Sequence, residues 1–125
     1  MTDRVPVLKI GEILLVSIQI DLEDEMVLDL QEDLSQKIVS AGAKGVVIDI
    51  SALEIVDSFV GRMLATIASI SRMLGAETVV VGMRPAVAMT LVELGLSLQG
   101  VRTALNLERG LKLLRRLSTA HPARP

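Results

Sequence analysis

One segment of the sequence places a hydroxyl group directly after a carboxylate, at the point where a helix is predicted to begin. Residues 45–50 are almost continuously apolar, as in a strand that is covered on both faces, and a short polar segment then leads to Asp57 and Ser58. A serine without a neighbouring base is a poor nucleophile. A serine at a helix N-terminus is well placed to receive a phosphate group. We therefore interpret Ser58 as a phosphate acceptor rather than as a catalytic residue.

Ser58 also has a purely structural interpretation. A serine near a helix start commonly caps the helix, because its oxygen accepts a backbone N–H bond that contributes ~1 kcal/mol, and Asp57 could serve in the same way. The two roles of Ser58 are compatible, since a capping hydroxyl stays close to the surface. A phosphate would add a charge of about −1.5 to −2. The helix N-terminus tolerates that charge, while Asp57 and Glu54 oppose it, so we expect phosphorylation to preserve the fold and to change what the surface binds.

Residues for catalysis or for a metal site are not suitably placed in the sequence. The single histidine, His121, falls in a predicted tail, and neither glycine-rich phosphate-binding motif occurs. Asp49 and Asp57 could approach each other, but no aromatic platform for a sugar accompanies them. The carboxylates of residues 21–32 match the spacing of a calcium-binding loop, yet Met26 stands where that loop needs glycine. We expect no enzyme, no metal site and no cofactor.

Two more side chains are candidates for the surroundings of Ser58. Arg84 lies between a second buried strand and the helix that Pro85 begins. It could hold a phosphate or a carboxylate such as Asp57, or it could be a simple surface arginine. Phe59, the only aromatic residue, is either a core side chain or a contact for a partner. Thr90, in the middle of the helix that follows Arg84, is most simply a solvent-facing residue.

Composition limits the class of protein. The 125 residues suffice for one domain, and half of them are hydrophobic while 22% are charged. The net charge of −2 and the single aromatic residue argue against a nucleic-acid partner. The cluster Lys112, Arg115 and Arg116 is expected near a helix end, where cations suit the helix dipole.

No uncharged apolar run approaches the ~20 residues of a membrane helix, so we expect no membrane segment. A chain without cysteine fits a reducing cytoplasm.

The hydrophobic pattern predicts an α/β fold with element order β-β-α-β-α-β-α-β-α. An N-terminal antiparallel hairpin of residues 5–10 and 13–20 precedes parallel β-α-β units, which give a mixed sheet packed with about four helices. Leu74 and Leu94 are expected on the inward faces of the second and third helices. We predict one domain over residues 1–117 and a flexible tail over residues 118–125. The mean hydropathy of +0.54 is high, and we expect the excess apolar surface to be covered in an oligomer.

Two segments together resemble a known family. Residues 47–59 (VIDISALEIVDSF) and residues 82–88 (GMRPAVA) resemble the STAS domain, the fold of sulfate-transporter cytoplasmic domains and of bacterial anti-sigma-factor antagonists. Within that family, the combination of both segments is similar to the single-domain scaffold proteins of the bacterial stressosome. The resemblance extends over nearly the whole chain, from the first strand to the last helix.

The resemblance implies a function that the residues alone do not. It implies that an RsbT-type serine kinase phosphorylates Ser58, and that the unmodified protein holds this kinase while assembled with RsbR-type STAS paralogues in homo- and hetero-oligomers. An RsbX-type phosphatase would reverse the reaction. Asp57, Phe59 and Arg84 would shape the switch surface, and Thr90 is a weak candidate for a second modified residue. Two alternatives stay open: a monomeric anti-sigma-factor antagonist that binds an anti-sigma kinase, and a small-ligand or nucleotide-binding STAS module.

Overall fold

The elements follow one another in the predicted order in a computed structural model, which describes residues 5–19, 23–96, 98 and 100–120, the last three of these without their side chains. Their bounds are β1 Val7–Ile10, β2 Ile13–Ser17, α1 Asp24–Ala41, β3 Gly45–Asp49, α2 Ser58–Met73, β4 Glu77–Val81, α3 Pro85–Glu93, β5 Arg102–Ala104 and α4 Leu107–Ala120. The predicted end of the second strand at Ile20 lies outside the described residues.

The five strands form one sheet in the order β1-β2-β3-β4-β5. β1 pairs with β2 in antiparallel orientation, and every later pair is parallel, so the predicted mixed α/β fold is confirmed. The register aligns Asp49 with Val81 at the carboxyl ends of β3 and β4. The segments that follow these two strands therefore leave the sheet side by side.

The helices divide unequally between the two faces of the sheet. α1, α2 and α3 cover one face, and α4 covers the other. Alternate residues of β3 supply both sides, because successive strand residues point to opposite faces. Buried residues on the three-helix side include Val46, Ile48, Leu64, Ile67 and Leu91. Those on the α4 side are Val47, Val79, Val81 and Leu114.

The periodic pattern predicted the interior of helices better than their ends. The four residues of α1 expected to face inward are all buried: Val27, Leu30, Leu34 and Ile38. The expectation for Leu74 and Leu94 was wrong, since these side chains are 39% and 46% exposed. Each follows the last residue of its helix, and the glycine after it has a positive φ, so the chain turns away before the leucine reaches the core.

The last helix extends further than the sequence pattern indicated. Asn106 caps it as expected, because its Oδ1 accepts a bond of 2.9 Å from the backbone N–H of Arg109. The helix continues to Ala120, so the backbone of the first three residues of the predicted tail is helical.

The last turn of α4 carries no basic residue. The cluster that includes Lys112 therefore lies before the last turn, where the helix dipole has little effect. His121 lies outside the described residues.

Candidate functional site

Two loops meet at the carboxyl ends of β3 and β4. Residues 50–57 lead from β3 into α2, and residues 82–84 lead from β4 into α3. The backbone N–H of Ile50 donates to the carbonyl of Val81 over 3.0 Å, and the Arg84 Nε donates to the carbonyl of Ser51 over 3.0 Å. We refer to these two loops, together with Ser58, as the strand-end surface. The sequence predicted that both loops lie at strand ends, and the structure brings them into direct contact.

Gly82 allows this close approach. Its φ of +75° is one that residues with a side chain rarely adopt, and a Cβ atom there would lie 2.8 Å from the Ser51 Cβ and 3.0 Å from Asp49 Oδ1. Asp49 Oδ1 also accepts a bond of 2.9 Å from the backbone N–H of Ser51. These contacts hold the first part of the β3–α2 loop against the neighbouring turn.

Asp57, and not Ser58, caps α2. Asp57 has extended backbone angles, φ −122° and ψ −177°, and its Oδ1 accepts a bond of 3.1 Å from the backbone N–H of Val60. Of the two capping candidates that the sequence offered, Asp57 is therefore the cap, because Ser58 is already the first helical residue. Its half-buried side chain makes no hydrogen bond to another residue in the described part of the chain. The Ser58 hydroxyl is thus not needed to hold the helix start.

Apolar side chains next to Ser58 differ greatly in exposure. Leu53 and Val56 are buried and anchor the β3–α2 loop to the core, while Ile55 between them is 86% exposed. Phe59 is half-buried and packs against the core of the three-helix side. Sequence reasoning did not single out Ile55. Residues 53–56 include three apolar residues within a short loop, and this pattern indicates that at least one of the three side chains is exposed.

Arg84 belongs to the strand-end surface, whereas Thr90 lies further along the chain, inside α3. Arg84 is exposed and uses its Nε for the Ser51 carbonyl, so this side chain ties the two loops together. Thr90 is half-buried rather than simply solvent-facing, and its Oγ1 donates to the carbonyl of Ala86 over 2.9 Å. Such a bond to the preceding turn is common for threonine inside a helix. That Arg84 contacts a phosphate stays a prediction, and so does the modification of Thr90.

The described part of the chain contains neither a group of metal-ligand side chains nor a helix that could span a membrane. Within residues 5–19, 23–96, 98 and 100–120, no three His, Cys, Asp or Glu side chains are grouped as metal ligands would be. Over the same residues, no helix has the length and apolar character needed to cross a bilayer.

Comparison with known proteins gives consistent matches. The family model for the STAS domain matches residues 4–109. A structure described as Moorella thermoacetica RsbS S58E superposes with a TM-score of 0.79 at 47% identity and covers 90% of this chain and 96% of that chain. A chain from a structure described as the molecular architecture of the stressosome, a signal integration and transduction hub, gives the same TM-score and identity. It covers 90% of this chain and 97% of that one.

A curated relative is longer than this chain. The RsbT co-antagonist protein RsbRA of Bacillus subtilis is 30% identical over 91 residues, which are 73% of this chain and 33% of that protein. The chain thus spans about a third of this relative's length. The unphosphorylated form of the anti-sigma factor antagonist SpoIIAA has 13% identity and a TM-score of 0.70, a likeness of fold alone.

Proposed function

The chain belongs to the STAS-domain family, and from that premise we propose that it is a non-catalytic scaffold and phospho-switch of a bacterial stressosome. In this proposal Ser58 is the phosphate acceptor, and an RsbT-type serine kinase binds the strand-end surface while Ser58 is unmodified. RsbR-type STAS paralogues are the assembly partners, an RsbX-type phosphatase removes the phosphate, and the complex acts in the cytoplasm. The similarity to RsbS and to RsbRA supports the assembly part of this proposal.

The position of the Ser58 hydroxyl carries the proposal. The hydroxyl lies at the first residue of α2, on a partly exposed side chain, and Asp57 already performs the capping. A phosphate on Ser58 would therefore break no hydrogen bond that stabilises the helix. It would also meet the partial positive charge of the helix N-terminus, which favours negatively charged groups.

The change that a phosphate makes is one of surface chemistry. Ile55, which precedes Ser58 by three residues and is 86% exposed, offers an apolar contact to a partner. A partner that buries Ile55 would have to remove water from a nearby phosphate, and burying an unpaired charge is strongly unfavourable. Glu54 and Asp57 are also exposed, so the phosphate would add to an existing negative charge. We therefore propose that phosphorylation releases the kinase by desolvation and repulsion.

The two loops of the strand-end surface are held in position by contacts that do not involve Ser58. The close approach at Gly82 and the bond from Arg84 to Ser51 hold the two loops together without involving Ser58. A modification of Ser58 can thus change affinity without moving the loops.

The direct test uses the protein with an RsbT-type kinase and ATP. We expect mass spectrometry to find one phosphate on Ser58, and we expect the kinase to dissociate as this phosphate accumulates. Ser58→Ala should retain the kinase after ATP is added. Ser69→Ala is the matched control, because Ser69 is an exposed serine on the same helix, and this variant should release the kinase normally. Normal release from Ser58→Ala would exclude the proposed switch.

Two further measurements separate the alternative functions. A stressosome component should form particles far larger than 13.4 kDa when mixed with an RsbR-type paralogue, whereas an ordinary anti-sigma-factor antagonist should stay monomeric. Calorimetry with nucleotides tests the alternative of a ligand-binding STAS module, which would give saturable heat that Arg84→Ala abolishes.

A further inference from the structure

The outward side of α1 is acidic and has an exposed leucine at its centre. The eleven residues from 23 to 33 include six carboxylates and no basic residue. Asp24, Glu25 and Glu32 are exposed, and Leu28 between them is 63% exposed. Residues three and four apart lie on the same face of a helix, so these four side chains form one continuous surface. We call them the acidic stripe.

A groove of opposite charge lies between α4 and the edge strand β5. Its volume is about 480 Å³, and it is lined by Thr103, Ala104, Leu105, Arg109, Lys112, Leu113 and Arg116. We call this the basic groove. Leu105 is 71% exposed and gives it an apolar contact next to the cations. The helix dipole does not account for these cations, because the last turn of α4 carries none of them.

The acidic stripe and the basic groove cannot meet within one molecule. α1 connects β2 to β3 on the three-helix face, whereas α4 covers the opposite face. The groove lies at β5, three strands away from β2. Neighbouring strands are ~4.8 Å apart and a packed layer adds ~10 Å, so both the width and the thickness of the sheet separate the two surfaces. Only another molecule can bring such a groove to the acidic stripe.

We propose that the acidic stripe of one copy docks into the basic groove of a second copy of this chain. The opposite charges and the exposed leucine on each side identify this partner. Leu28 packs against Leu105 at the centre of the contact, and the carboxylates of α1 surround it with Arg109 and Lys112 as their partners. An apolar centre within a charged rim is the usual composition of a protein interface.

This contact uses two different surfaces of the same molecule. After one such contact forms, the first copy still has an unoccupied groove and the second still has an unoccupied stripe, so further copies can add head to tail. The contact deepens the assembly part of the proposed function and rests on it. It requires neither the kinase nor a phosphate, so its test is independent of Ser58.

Cysteine cross-linking tests the contact directly, because the sequence has no cysteine of its own. One preparation carries Leu28→Cys and a second carries Leu105→Cys, and the two are mixed under mild oxidation. We expect a disulfide-linked dimer to form about tenfold faster than in a control mixture of Leu28→Cys with Met73→Cys. Met73 is an 87% exposed residue of α2, outside both surfaces. Equal rates in the two mixtures would overturn the proposal.

Charge reversal gives the second arm of the experiment. Glu32→Lys in the Leu28→Cys protein should slow cross-linking to the control rate, and Lys112→Glu in the Leu105→Cys protein should do the same. Combining the two reversed proteins should restore the fast rate, because the charges are again opposite. At about 0.5 M salt, where the Debye length is only ~4 Å, the fast rate should fall towards the control. Single reversals without effect, or a combination that stays slow, would contradict the proposal.

Discussion

Gly82 and Ser51 lie so close together that a methyl group on Gly82 would stand 2.8 Å from the Ser51 Cβ. The guanidinium of Arg84 adds a second connection through the Ser51 carbonyl. Two strands that are neighbours in the sheet are thus joined again beyond their ends, by the loops that follow them. This double connection gives the loop before Ser58 a fixed support.

Gly82→Ala should be strongly destabilising. The residue has a φ of +75°, and the new methyl group would contact Ser51 too closely. Backbone strain of about 1–3 kcal/mol adds to overpacking of about 1–3 kcal/mol, so we expect the free energy of unfolding to fall by about 2–6 kcal/mol. Gly95→Ala is the control, with a φ of +73° and no atom within 4 Å of the added Cβ. Urea denaturation should show a clearly smaller loss for the control, and equal losses would refute the contact argument.

Asp57→Ala should lower the free energy of unfolding by about 1 kcal/mol, because the bond to the Val60 N–H is lost. Asp57→Asn should restore most of this stability, since asparagine is an equally good cap. Ser58→Ala should have almost no effect on thermal stability. A loss for Ser58→Ala as large as that for Asp57→Ala would show that the cap is wrongly assigned.

Ser58→Asp should keep the fold and weaken the kinase complex. The helix N-terminus favours the new carboxylate by about 0.3–1 kcal/mol, and repulsion from Asp57 offsets part of that gain. We expect a change in unfolding free energy within about 0.5 kcal/mol, and a kinase dissociation constant raised about tenfold or more. Ser69→Asp on the same helix should leave kinase binding unchanged. Kinase affinity at the wild-type level for Ser58→Asp would argue against the strand-end surface as the binding site.

Thr78→Val should stabilise the protein. Thr78 is 1% exposed in β4, and its Oγ1 has no hydrogen-bond partner among the described residues. A buried hydroxyl without a partner costs about 1–3 kcal/mol, so removing it should raise the free energy of unfolding by about 1 kcal/mol. Ser71 provides the contrast, because its equally buried Oγ donates to the Ile67 carbonyl over 2.8 Å. Ser71→Ala should be destabilising, and calorimetry of both variants checks the difference in sign.

The sequence predicted the architecture because hydrophobic periodicity reports directly on burial. The buried positions of α1 and the order of strands and helices follow from that pattern, and the STAS resemblance seen in residues 47–59 and 82–88 is confirmed. The choice between Asp57 and Ser58 as the cap could not be made in this way. Both side chains are good caps, and the choice depends on which residue keeps extended backbone angles at the first turn.

The sequence pattern also did not predict which apolar side chains are exposed at helix ends and in loops. Leu74 and Leu94 were expected to face inward, yet both side chains are exposed, and so is Ile55, for which no position was predicted. A helix that ends one residue earlier, or a loop that anchors itself through its neighbours, turns such a side chain outward. These positions depend on the backbone path in three dimensions, which a periodic pattern does not contain.

The sequential strand order has a consequence for how the chain acquires its structure. Each strand lies beside the one that precedes it in the chain. During synthesis, every newly emerging strand therefore finds its neighbour already present, and no strand must be inserted between two others. Such a topology gives the paired parallel strands a smaller sequence separation than an order in which a strand is inserted between two earlier ones, and a smaller separation favours faster folding. We expect the sheet to grow from its N-terminal hairpin in a single direction, with β5 and α4 completing it last.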